Sequence, residues 1–214
     1  HELKTPLQSI IGSAELLENG LVKPEDQLRF LSRIHQEADR LVTLIDDILR
    51  LSQLDEGGAL PHEQVSLLEL AQEAARSLTE QAAAQAVHIS VTGTAGTVFG
   101  VRRLLYEIAR NLCENAVKYN VSGGSITVEV AETDRDVTLL VRDTGIGIPE
   151  GDQSRVFERF YRVDKSHSRA IGGTGLGLSI VKHAVAYHHG TLRLESQPGK
   201  GTTITVTLPK EPTE

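Results

Sequence analysis

Apolar residues recur by threes and fours over residues 1–56, and largely by twos after that. Leu3, Leu7, Ile10, Ile11, Ala14 and Leu17 share one face of a helix running from about His1 to Asn19. Asn19-Gly20 ends it, since both residues tolerate a positive φ. Pro24 suits the first turn of a second helix. That helix runs to about Leu54 on Leu28, Leu31, Ile34, Ala38, Leu41, Ile45, Ile48 and Leu51. At about 1.5 Å per residue it is about 45 Å long. A lone hairpin leaves both stripes uncovered, and two hairpins close them as a four-helix bundle. A homodimer through residues 1–56 is therefore expected; the alternative is that the stripes pack on the rest of the same chain.

Asp55-Glu56-Gly57-Gly58 interrupts the pattern, and residues 57–64 read as a linker. A second domain follows over 65–210, with a tail at 211–214. Val65–Leu67 reads as a short strand, Leu67–Ala86 as an Ala-rich helix and Val87–Val91 as a strand. Residues 101–119 form a helix with Leu104, Leu105, Ile108, Leu112 and Ala116 on one face. Ser125–Glu132 and Val137–Asp143 alternate like paired strands. Leu176–His188 is helical, and Thr191–Ser196 with Thr202–Leu208 form a closing hairpin. The fold class is α+β: a helical hairpin followed by a two-layer sandwich of helices on a sheet.

Composition narrows the function classes. The net charge of −7, with no Lys/Arg block, argues against a nucleic-acid partner. The single cysteine, Cys113, excludes an intrachain disulfide and fits a reducing, cytoplasmic setting. No run of about 18 apolar residues is present, so any membrane contact belongs to segments absent from this chain. The first residue is His rather than Met, which suggests a piece of a longer protein.

Four segments between 111 and 178 carry unusual chemistry. Asn111, Asn115, Lys118 and Tyr119 lie on one face of the 101–119 helix. An amide oxygen is a hard ligand suited to Mg²⁺, and Lys118 can meet a phosphate; a solvated polar stripe is the alternative. Asp143-Thr-Gly-Ile-Gly-Ile-Pro149 follows a strand, where a carboxylate can accept from an adenine amino group and Gly145 and Gly147 let backbone approach a flat base. A plain turn is the competing reading. Phe157-Glu-Arg-Phe-Tyr-Arg162 gathers three aromatic residues ahead of a polar stretch with Lys165 and Arg169. This suits a lid rooted by aromatic residues, or an ordinary surface loop. Gly173-Thr174-Gly175-Leu176-Gly177-Leu178 opens a helix, whose free N–H groups and positive dipole end attract anions. Neither a P-loop nor a complete G-x-G-x-x-G is present, which argues against a Rossmann site.

In this order the four segments resemble the N, G1, F and G2 boxes of histidine protein kinases, and His1-Glu-Leu-Lys-Thr-Pro-Leu7 resembles their H-box. The lid and its flanks look most like sensor kinases of the phosphate-response type. The resemblance implies the Bergerat ATP-binding fold shared with gyrase, Hsp90 and MutL ATPases. It implies Asn115, helped by Asn111, on Mg²⁺; Lys118 and Tyr119 on the phosphate and ribose side; and Asp143 on the adenine amino group. Gly173, Thr174, Gly175, Leu176 and Gly177 would line the phosphates. Arg159, Arg162 and Lys165 are candidates for the γ-phosphate.

The related ATPases carry a water-activating Glu where Asn111 stands. An amide is no general base, so the site should hold ATP for another nucleophile. His1 fills that role, since neutral imidazole is nucleophilic near pH 7. Glu2 would hold the other ring N–H, and the phosphoryl group would pass on to an Asp of a response regulator. Glu2-x-x-Thr5 resembles the family's phosphatase motif, with the Thr5 hydroxyl orienting water. Pro6 is expected to bend the helix. A Bergerat-fold ATPase and a non-catalytic dimeric nucleotide-binding module are the competing functions.

Overall fold

The computed structural model describes residues 3–55, 60–163 and 173–211, without the side chains of 50 and 53–55. Two helices open it, α1 (Lys4–Glu18) and α2 (Gln27–Asp55), packed as a hairpin. The turn between them follows from Gly20, which takes φ +68°. Its N–H reaches the Leu17 carbonyl at 3.1 Å and that of Leu21 reaches Leu16 at 3.0 Å, so the last turn of α1 keeps its acceptors satisfied. A 3₁₀ turn at Pro24–Asp26, with Pro at its first position, leads into α2. Pro6 falls in the first turn of α1, where its missing N–H costs no intrahelical hydrogen bond. Only Leu3, Lys4 and Thr5 are described on its N-terminal side, so the expected bend falls at the edge of the described residues.

After the hairpin come β1 (Glu63–Ser66), α3 (Leu67–Ser77), α4 (Thr79–Ala84), β2 (His88–Gly93) and β3 (Thr97–Gly100). The chain continues with α5 (Arg102–Lys118), β4 (Ser125–Glu132), β5 (Asp136–Asp143) and α6 (Glu150–Gln153). It closes with α7 (Gly177–Tyr187), β6 (Thr191–Gln197) and β7 (Gly201–Pro209). The single helix expected over 67–86 is two. Ser77 Oγ donates to the Ala74 carbonyl and Thr79 Oγ1 to that of Arg76, and these hydroxyls end one helix and start the next around Leu78. β3 and α6 were not anticipated.

The main sheet has the order β2-β4-β5-β7-β6, with β1 and β3 as a separate antiparallel pair. β2 and β4 are parallel and the other neighbours antiparallel. A parallel pair needs a crossover connection, and α5 lies within it. Alternation puts Ile126, Val128 and Val130 of β4, Val137, Leu139 and Val141 of β5, and Ile204, Val206 and Leu208 of β7 on one buried face. The helices α3, α5 and α7 supply Leu70, Leu105, Ile108 and Val181 to the same core. Each such side chain contributes roughly 1.5–3 kcal/mol of burial, so this layer fixes where the functional ends of α5, β5 and α7 sit.

His188, just past α7, joins two helices. Its Nε2 accepts the Val101 N–H at 3.0 Å, and its Nδ1 lies 2.7 Å from the Ala184 carbonyl. Nδ1 therefore carries the proton and the ring is neutral. Burial pushes its pKa below the ordinary histidine value. Cys113 is fully buried, and burial lifts its thiol to about 12.

The hairpin is only partly covered by its own chain. Leu44 and Leu51 are buried against Leu176 and Ile180, with Ile48 alongside. Leu3, Leu7, Ile11, Leu28, Leu31, Val42, Ile45 and Leu49 stay exposed. No described helix is long and apolar enough to cross a membrane.

Candidate active site

The C-terminal half of α5, the end of β5, the start of α7 and one face of α2 enclose a cavity of about 450 Å³, a usual size for a small-molecule site. Its polar wall is the α5 face. Asn111 Nδ2 donates to the Glu107 carbonyl at 2.8 Å and lies 3.4 Å from its carboxylate. With its donor held by two oxygens, the amide turns Oδ1 toward Gly177; a Cβ built there would lie 2.9 Å from that oxygen. Asn111 thus offers an acceptor at the start of α7, beside Asn115. Lys118 Nζ is paired with Glu114 Oε1 at 2.7 Å, and Arg110 reaches the other oxygen at 3.7 Å. Lys118 therefore lines the cavity as one member of a charge cluster.

Asp143 ends β5 at the cavity. Its Oδ1 accepts the Gly145 N–H at 2.8 Å and the Thr202 N–H at 3.2 Å. Burial raises its pKa above the usual carboxylate value, and the two backbone donors oppose this. The donors also fix the carboxylate plane, and Oδ2 takes no hydrogen bond among the described residues. The neighbouring glycines serve the protein's own backbone. A Cβ at Gly145 would lie 2.2 Å from the Tyr119 carbonyl, which accepts the Ile146 N–H at 3.0 Å. One at Gly147, where φ is +70°, would lie 2.1 Å from the Gln197 carbonyl. Close approach of the α5 end and the β6–β7 turn requires glycine at both positions.

The Gly-rich turn before α7 is clamped from two sides. Gly175 takes φ +75°, and its carbonyl accepts the Phe160 N–H at 2.9 Å. Phe160 itself sits at φ +64°, costly for a bulky residue. On the other side, Thr174 Oγ1 donates to Asp47 Oδ2 of α2 at 2.8 Å and lies 3.3 Å from the Leu176 N–H.

The cavity thus gathers Asn111, Asn115, Lys118, Tyr119, Asp143, Gly147, Arg162, Gly173, Thr174, Gly175 and Gly177. Four proposed site residues lie elsewhere among those described. Leu176 is wholly buried in the apolar cluster with α2. Arg159 reaches His183 Nε2 at 3.0 Å on α7. Gly145 lies under the Tyr119 carbonyl, and Thr5 is exposed on α1. His1, Glu2 and Lys165 lie outside the described residues, as does the lid stretch 164–172 that carries the phosphate-response likeness. Sequence reasoning missed Thr43, Asp46 and Asp47, which form the α2 wall. It also missed Thr202 as the second donor to Asp143. Nothing local marks these residues; only the docking of α2 and the β5–β7 pairing bring them in.

Two families match the chain. Residues 1–57 match the His Kinase A (phospho-acceptor) domain, and residues 100–212 match the histidine kinase-, DNA gyrase B-, and HSP90-like ATPase family. The sensor-like histidine kinase SenX3 of Mycolicibacterium smegmatis is 40% identical over 216 residues, covering 99% of this chain and 56% of its own. The chain thus spans about half the length of the curated relatives it matches. Full-length ShkA, solved with AMPPNP, superposes with a TM-score of 0.73 at 26% identity over 97% of this chain and 44% of its own. ThkA, solved in complex with the response regulator protein TrrA, shares the fold at a TM-score of 0.77 and 23% identity, over 99% of this chain and 60% of its own.

Proposed function

The chain belongs to the sensor histidine protein kinases, and from that premise we propose that it is the cytoplasmic catalytic core of a bacterial two-component sensor kinase. It binds Mg-ATP in the cavity, phosphorylates His1 and passes the phosphoryl group to an Asp of a response regulator. The observation that carries this reading is the α5 wall, where an amide held by Glu107 stands beside Asn115 and no carboxylate replaces Asn111. Such a wall binds a nucleotide without activating water.

The donor set fits a hard cation. Asn115 and the Asn111 Oδ1 are neutral oxygen ligands, and polyphosphate oxygens would complete the shell. Mg²⁺, when bound, offsets the charge developing on the phosphate oxygens. Asp143 Oδ2 accepts from the adenine amino group. The start of α7 meets the phosphates with its N–H groups, and Lys118 turns to them from Glu114. A nitrogen of His1 attacks the γ-phosphorus, the bond to the β-phosphate oxygen breaks, and ADP leaves. Glu2 holds the second ring N–H and stabilises the imidazolium until its proton is lost.

Two copies of the hairpin form a four-helix bundle, supported by the exposed leucines and isoleucines of α1 and α2. This gives residues 1–56 the dimerisation and phosphoacceptor role, residues 57–64 the linker and 65–210 the ATP-binding role. ThkA, of the same fold, is known with its regulator bound, which supports a receiver domain as the partner. Thr5, exposed on α1, orients water against the regulator's acyl phosphate. Any membrane anchor belongs to other segments.

Incubation with γ-labelled ATP tests the reading. We expect label on the protein that survives base, is lost in acid and is absent from His1→Gln. Steady phosphate release with no labelled protein would point to the ATPase instead.

A further inference from the structure

The turn that meets the phosphates is held by the helix that meets the partner. Thr174 Oγ1, between Gly173 and Gly175, spends its proton on Asp47 Oδ2 of α2. The same hydroxyl oxygen faces the Leu176 N–H, an amide at the start of α7. Asp46 and Asp47 line the cavity with Asn115, Lys118 and Gly173, so α2 contributes two carboxylates to the space a polyphosphate would fill. Beneath them Leu44, Leu51, Leu176 and Ile180 form a buried apolar cluster of their own, separate from the main core.

These features conflict with a bound nucleotide. A hydroxyl has one proton, so Thr174 cannot donate to Asp47 and to a phosphate oxygen together. Polyphosphate beside Asp46 and Asp47 also meets like charge there, while Arg110, Lys118 and Arg162 line the other parts of the cavity. The apolar cluster carries no such conflict and favours docking whether the cavity is filled or empty.

Resting on the nucleotide-site reading above, we propose that α2 and the nucleotide compete for the Gly173–Gly177 turn. Docking of α2 through Asp47–Thr174 and the Leu44/Leu51–Leu176/Ile180 cluster weakens nucleotide binding, and nucleotide weakens docking by the same factor. This reciprocity is a thermodynamic necessity for two linked equilibria. The hairpin thereby senses whether the site is loaded.

Calorimetric titration of the full chain with Mg²⁺ and the β,γ-imido analogue of ATP tests this with two variants of different chemistry. Asp47→Ala removes the acceptor and a charge. Leu44→Ala leaves every cavity charge in place and weakens only the apolar contact. Both should bind the analogue about fivefold or more tightly than the parent chain. Tightening in Asp47→Ala alone reflects cavity charge and overturns the competition. Equal affinity in all three chains overturns it too, while the nucleotide site stands. Absence of binding in all three overturns the nucleotide reading itself.

A direct readout of docking uses Leu44→Cys, since Leu44 is 4% exposed and the buried Cys113 thiol stays protonated. Alkylation of Cys at 44 should speed up about fivefold or more on adding the Mg²⁺–analogue. An unchanged rate at saturating analogue overturns the proposal.

Discussion

Leu105 of α5 is fully buried, whereas Leu28 of α2 is 77% exposed, although both lie on apolar stripes of similar helical spacing. The sheet domain closes its core with its own elements, since three helices cover the single apolar face that β4, β5 and β7 present. Among the described residues the hairpin buries Val22, Leu44 and Leu51, the last two against Leu176 and Ile180 of the sheet domain. The same periodicity thus gives a self-contained core in one region and an unfinished one in the other. What separates them is whether the chain supplies the opposing surface. An unfinished stripe is a statement about partners.

Several substitutions would break or sharpen that contrast. The largest effect is expected in the finished core: Leu105→Ala should cost about 2–5 kcal/mol in urea unfolding at every protein concentration. A concentration-dependent loss there would erase the distinction between the regions. Next, Asp143→Asn places a donor where the proposed nucleotide pose needs an acceptor for the base. It should weaken binding of the ATP analogue about 10- to 150-fold, the equivalent of a charged hydrogen bond of ~1.5–3 kcal/mol, and leave the folding midpoint nearly unchanged. Because burial raises the Asp143 pKa, the acid-side loss of nucleotide affinity should begin above the ordinary carboxylate range, as titration calorimetry across pH would show.

On the unfinished side, Leu31→Asp should raise the dimer dissociation constant about tenfold or more by sedimentation equilibrium, with analogue affinity unchanged. A dimer indifferent to this change would mean that the exposed stripe is not the contact. The smallest effect concerns His188. Its folded pKa lies below the unfolded value of about 6.5, so the unfolded chain binds the extra proton and stability falls as pH drops through that value. His188→Gln should flatten this fall in urea midpoints measured on both sides of it.

Much of the fold was legible because long, strongly patterned segments decide themselves. Ser125–Glu132 was placed to the residue, and α2, α5 and α7 to within three. The losses are short or context-made. β3 has only four residues, and its pairing with β1 reveals it better than its pattern does. The break at Leu78 rests on two hydroxyls inside an Ala-rich run that favours a helix. The parallel β2–β4 pair depends on where α5 crosses. In the site, spacing placed Asn111, Asn115, Lys118 and Tyr119 on one face of α5, and the strand end exposed Asp143. It could not show that Gly145 and Gly147 yield space to the Tyr119 and Gln197 carbonyls. Nor could it bring Asp46 and Asp47, over sixty residues earlier in sequence than Asn111, onto the opposite wall.

The ring of His188 has a mechanical consequence. It pins the beginning of α5 to the end of α7, while the opposite ends of these helices, at Asn115 and Gly177, flank the cavity. The two helices are thus fastened to each other at the end away from the cavity, by a single neutral ring.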